Sequence, residues 1–97
     1  MDNFTKILGE LDNLHTRKEA DYGQPDVTYY NFRKAEALGI PAWQGAFVRL
    51  LDKVARGETF IRTGSLRNES FVDTLNDLAS YAIICRELFE ETLPKEA

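Results

Sequence analysis

Apolar residues recur at three- and four-residue intervals over most of this chain, the spacing that gathers side chains on one face of a helix. Phe4, Ile7, Leu8, Leu11 and Leu14 predict a helix from the N-terminus to about Tyr22. Gly23, Pro25 and Asp26 then form a breaker cluster. Residues 27–39 read as a short helix closed by Gly39, and Pro41 suits the first turn of the next one. That helix carries Trp43, Phe47, Leu50, Leu51 and Val54 and runs to about Arg56 or Ile61. Residues 62–68 read as a loop. The last helix, capped by Ser65 or Asn68 with Glu69 in its first turn, runs to about Leu93 and stops at Pro94. Residues 59–63 have β-type side chains but no partner strand. The expected fold is all-α: a small helical bundle of three long helices and one short one, a single domain over residues 1–97 with a frayed tail at 93–97. A domain of this size gains little from its own core, so oligomerisation is expected to complete it.

Three acids change the picture of the last helix. Glu69, Asp73 and Asp77 stand at i, i+4, i+8, a single stripe beside Phe71, Val72, Leu75, Leu78, Ile83 and Cys85. Carboxylates on an apolar helix need cationic compensation. Magnesium, which takes carboxylate oxygens, is one source, with Asp52 of the preceding helix as a further ligand. Ordinary solvated or Arg-paired helix acids are an equal alternative. Arg49, Asp52, Lys53 and Arg56, at i, i+3, i+4, i+7, share another helix face. They suit either a salt-bridge network with the acids or a phosphate site. Asp21, Tyr22, Tyr30, Asn31 and Phe32 surround the first loop, where aromatic and amide groups could stack on and hydrogen-bond a base. Core packing and turn chemistry explain them more simply.

Composition narrows the classes. A net charge of −4 argues against non-specific binding to a nucleic-acid backbone. No basic segment followed by an apolar run marks a signal peptide, and no apolar stretch is long enough to span a bilayer, so the expected location is the cytoplasm. The one cysteine, Cys85, reads as a small buried hydrophobe. His15 has no second histidine or cysteine at ligand spacing, which argues against zinc. No nucleophile–histidine pair or Gly-rich phosphate loop is readable.

The words KEADYG, NF, LLDKVAR and ESFVDTLNDLASYAII, in this order from about Arg17 to Ile84, resemble a family of small phage and bacterial helical proteins, nucleotide-modification-associated domain 1. That family looks related to the MazG-like all-α nucleoside triphosphate pyrophosphatases. The resemblance implies a homodimer or larger assembly in the cytoplasm, the host's if the protein is phage-encoded. It also implies Mg²⁺ held by helix acids, and hydrolysis between the α and β phosphates of a nucleotide. On this chain Asp52, Glu69 and Asp73 would hold the metal, and Asp77 would be a further ligand or orient the attacking water. Arg49, Lys53 and Arg56 would bind phosphates, and Asp21, Tyr22 and Asn31 would line the nucleoside pocket. The larger group carries E-x-x-E on one helix and E-x-x-D on the next, whereas this chain has Asp52 followed by Lys53 and Arg56. A nucleotide-binding protein without turnover, and a structural or interaction protein whose charged faces bridge helices, are the two alternatives.

Overall fold

The computed structural model describes residues 2–22 and 29–95, with the side chains of 18–22 outside the description. Every regular element among the described residues is helical. Contacts divide the chain into two compact units, Met1–Asn31 and Phe32–Ala97.

In the first unit, α1 spans Asn3–Tyr22. Asp2 accepts the Thr5 N–H at 2.8 Å, satisfying one of the free donors of the first turn. Tyr29 has a positive φ of 58°, an uncommon conformation for a bulky residue, and its ring lies 5.9 Å from His15. The expected short helix begins here as α2 (Tyr30–Arg33), which crosses into the second unit. It tightens into a 3₁₀ segment, η1 (Lys34–Leu38), and ends at Gly39, whose φ of 75° is the left-handed cap expected there.

The second unit is built on two antiparallel helices. Helix α3 spans Ala42–Thr63 with Pro41 at its N-cap, and α4 spans Phe71–Glu90. Residues 59–63 continue α3 to Gly64, whose φ of 79° closes the helix as its N–H donates to the Phe60 carbonyl at 2.7 Å. The expected stop at Arg56 or Ile61 is therefore early: Gly57 stays helical within α3, and it is Gly64 that takes the left-handed cap. The chain leaves α4 after Glu90 in tight turns, Thr92 N–H to Phe89 and Leu93 N–H to Glu90, before Pro94 is reached.

The two long helices meet along a heptad seam. Trp43, Ala46, Leu50, Lys53, Gly57 and Phe60 of α3 face Phe71, Thr74, Leu78, Tyr81, Cys85 and Leu88 of α4, all buried or half-buried. Matched pairs run in opposite order along the helices: Trp43 edge-on to Phe89, Lys53 to Asp77, and Phe60 stacked on Phe71 at 4.5 Å. Cys85 donates its S–H to the Trp43 carbonyl at 3.3 Å, as a half-buried packing residue whose thiol pKa burial pushes up. Gly45 admits η1: a Cβ there would come within 3.2 Å of the Ala35 Cβ. Arg33 and Glu91 form a two-pronged ion pair, 2.9 and 3.1 Å, that ties α2 to the end of α4. No helix among the described residues is long and apolar enough to cross a membrane.

Candidate functional site

The local chemistry at the start of α4 decides where the acids go. Ser70, not Ser65 or Asn68, is the N-cap. Its hydroxyl accepts the Asp73 N–H at 3.0 Å, and the Asp73 carboxylate accepts the Ser70 N–H at 3.1 Å. This reciprocal capping box explains the position: Ser70 precedes Asp73 by three residues, so each side chain reaches the other's free amide. Glu69 therefore lies before the helix instead of in its first turn, and the expected three-acid helical stripe does not form. Asp73 is exposed and engaged at the cap, while Asp77 turns into the α3–α4 seam.

Glu69 and Asp77 meet on Lys53. The Lys53 Nζ lies 2.9 Å from Asp77 and 3.5 Å from Glu69, and Arg56 lies 3.4 Å from Glu69. The side chains of Lys53, Asp77 and Glu69 are only 13%, 12% and 17% exposed, against 49% for Arg56. Thr74, fully buried, donates to Glu69 Oε1 at 3.1 Å and also contacts the Ser70 carbonyl at 3.4 Å. Among the described residues no buried side-chain polar atom lacks a partner. Two cations thus offset two carboxylates, with a hydroxyl satisfying a further lone pair, which is the condition for tolerating charge away from water.

One turn earlier on α3, the Arg49 guanidinium sits 5.9 Å from the centre of the Tyr81 ring. Its hydrogen bond to Tyr81 raises its pKa above the usual arginine value, with Asp52 and Asp77 adding to the effect. Tyr81 is in turn edge-on to Phe32 at 5.8 Å, so α2 buttresses the ring that carries the arginine. Asp52 is exposed on α3.

The structure thus joins Lys53, Arg56, Glu69 and Asp77 and places Arg49 next to them; Asp52 is exposed and acts on Arg49, and Asp73 is held in the capping box. Asn31 is exposed in the first unit, and the side chains of Asp21 and Tyr22 lie outside the described residues. Thr74 and Tyr81 belong to the constellation without having been singled out by sequence. Their signal was a polar residue and a phenol at seam positions of an otherwise apolar helix. A magnesium site fits poorly in this arrangement: among the described residues no three His, Cys, Asp or Glu side chains converge as ligands. A lysine ammonium stands between the two acids that do approach each other.

No protein-family model matches the chain, and no curated protein or solved structure matches it significantly.

Proposed function

We propose that this chain binds a nucleotide through its phosphate groups at Arg49, Lys53 and Arg56. The observation that carries the reading is a cluster of four charges, three of them largely withdrawn from water, at the middle of a two-helix seam. Apolar residues would hold such a seam at less desolvation cost, so a cluster of charges kept there asks for a role beyond packing. A phosphate would enter by exchanging with the carboxylates for the same cations. Arg56, the most exposed of the paired groups, is the first point of contact. The order of the DYG, DK-x-x-R and acid-bearing segments points to the same ligand class by resemblance. A homo-oligomer belongs to this reading, as do Asp21, Tyr22 and Asn31 as nucleoside contacts.

Magnesium-dependent hydrolysis is the bolder form of the proposal. It requires Glu69, Asp73 and Asp52 to leave their present partners and converge, with Asp77 beside them. Binding without turnover requires no such rearrangement, and the Lys53 bridge between Glu69 and Asp77 favours it. A structural reading is favoured by a different observation: among the described residues every buried side-chain polar atom has a partner. In that case the cluster only sets the register of α3 on α4.

A thermal-shift panel of nucleotides with and without Mg²⁺ separates the three. A rise in Tm with a nucleoside di- or triphosphate, abolished in Arg49→Ala, supports binding. Release of products only with Mg²⁺ supports hydrolysis. No shift with any nucleotide removes both and leaves the structural role.

A further inference from the structure

The α3–α4 hairpin carries a second heptad row on each helix. On α3 it is Phe47, Leu51, Val54 and Ile61, one residue after Ala46, Leu50, Lys53 and Phe60; on α4 it is Val72, Leu75, Ala79, Ala82 and Phe89, one residue after Phe71, Thr74, Leu78, Tyr81 and Leu88, with Gln44, Glu58 and Arg86 at the remaining positions of the two rows. In a helix one residue is a rotation of about 100°. The helices run antiparallel with their seams facing each other, so the same +1 offset turns both rows to the same side of the hairpin. That side is mostly apolar and open: Phe47 is 46% exposed, Leu51 49%, Leu75 47% and Val72 64%. Arg49, Asp52, Arg56 and Asp73 lie at −1 offsets and therefore on the other side.

The face is also uneven in a particular way. The contacts Lys53–Asp77 and Arg49–Tyr81 set the level of one helix against the other. At the height of Leu51 on α3, α4 presents Ala79 and Ala82. The middle of the face is thus a ridge of large side chains beside a trough of small ones.

The geometry points to a second copy of this chain as the occupant of this face, in a twofold dimer whose axis runs along the helices. That operation lays α3 of each copy over α4 of the other at the same height, so the Phe47–Leu51–Val54 ridge of one seats in the Ala79–Ala82 trough of its partner. A single surface then supplies both halves of the fit, as an isologous interface requires. The area is of the right size. The row offers on the order of 600 Å² of apolar surface, against about 800 Å² per partner in a standard interface, with the rim making up the rest. A monomer rarely leaves this much contiguous apolar surface in water. A lipid surface is a poorer occupant, because the chain's net charge is −4 and Glu58 stands within the α3 row. This inference gives the homo-oligomer reading a surface and is independent of the nucleotide reading. The dimer leaves the Arg49, Lys53 and Arg56 side facing outward on both copies.

Light scattering on the full chain, together with disulfide trapping, tests it. The expected mass is that of a dimer, falling to a monomer in the L51E/L75E variant with its helical circular dichroism retained. If that variant loses its helical signal instead, the trapping result decides. In a C85A background, L51C co-expressed with A79C gives a crossed disulfide dimer, whereas L51C alone gives none. A dimer that survives L51E/L75E, or that traps through L51C alone, overturns the proposed face while leaving self-association standing. A wild-type monomer overturns both. If in that monomer the thiol of A79C resists alkylation, another part of the chain covers the face.

Discussion

At the residue scale, two acids that look equivalent in sequence do different work. Asp73 closes a capping box, and Asp77 neutralises a lysine. The difference comes from which free amides lie within reach, since an aspartate three residues after a serine is held by the helix start. Replacing Ser70 with Ala should cost about 1 kcal/mol, read as a lower urea midpoint with an unchanged slope. Asp73→Asn should lower stability in the same way and leave nucleotide binding intact. Loss of binding or turnover in Asp73→Asn with stability unchanged would instead restore it as a metal ligand. The spacing of Ser70 and Asp73 was legible in the sequence. The regular i, i+4, i+8 pattern of Glu69, Asp73 and Asp77 points the other way, and it holds only if Glu69 is helical.

At the scale of the elements, Lys53 links two acids, Glu69 and Asp77, across the α3–α4 seam. Removing it leaves Asp77 and Glu69 semi-buried with less compensation. Lys53→Met should therefore cost roughly 3–5 kcal/mol, enough to threaten a unit of this size. Lys53→Met combined with Asp77→Leu should recover much of that loss, because two apolar side chains of similar volume need no pairing. Denaturant unfolding of the two singles and the double checks this, and strict additivity would show that the pair is not coupled.

The Arg33–Glu91 tie behaves differently because it is more exposed. The Arg33 hydrogen bonds, with its charge adding, hold the Glu91 carboxyl below its ordinary value of 4.5, against the opposing effect of burial. A lowered carboxylate pKa contributes stability above the unfolded value and loses it as pH falls through the folded one. The tie should thus be fully present above about pH 4.5 and weaken below it. An NMR titration should place the Glu91 midpoint lower in the native chain than in Arg33→Gln. Solvent screening keeps the effect on global stability small.

For the whole molecule, helical periodicity and the capping Gly39 already specify a helical chain with breaks near residues 39–41 and 62–68, the second of which the structure moves to 64–70, because those signals are local. Single apolar residues could not tell which of two neighbouring rows is buried. Leu50 and Leu51 are adjacent in sequence and both apolar, yet the first lies in the α3–α4 seam and the second on the open face. If the open face pairs two copies, the unfolding midpoint should rise with protein concentration, since association draws the equilibrium toward the folded dimer.

The sequence by itself determined the helices, the row of Arg49, Asp52, Lys53 and Arg56 on one face of α3, and the surplus of apolar positions over one seam. The tertiary structure decided that Lys53 stands between Glu69 and Asp77, that Asp73 is taken up by the helix cap, and that the Arg49–Arg56 row and the mostly apolar row emerge on opposite sides of the hairpin. The reason is physical. Spacing assigns a residue to a face of its own helix, but the partner opposite that face depends on the direction and height of the next helix. Those are set by contacts such as Trp43 on Phe89 and Phe60 on Phe71, which lie far apart along the chain.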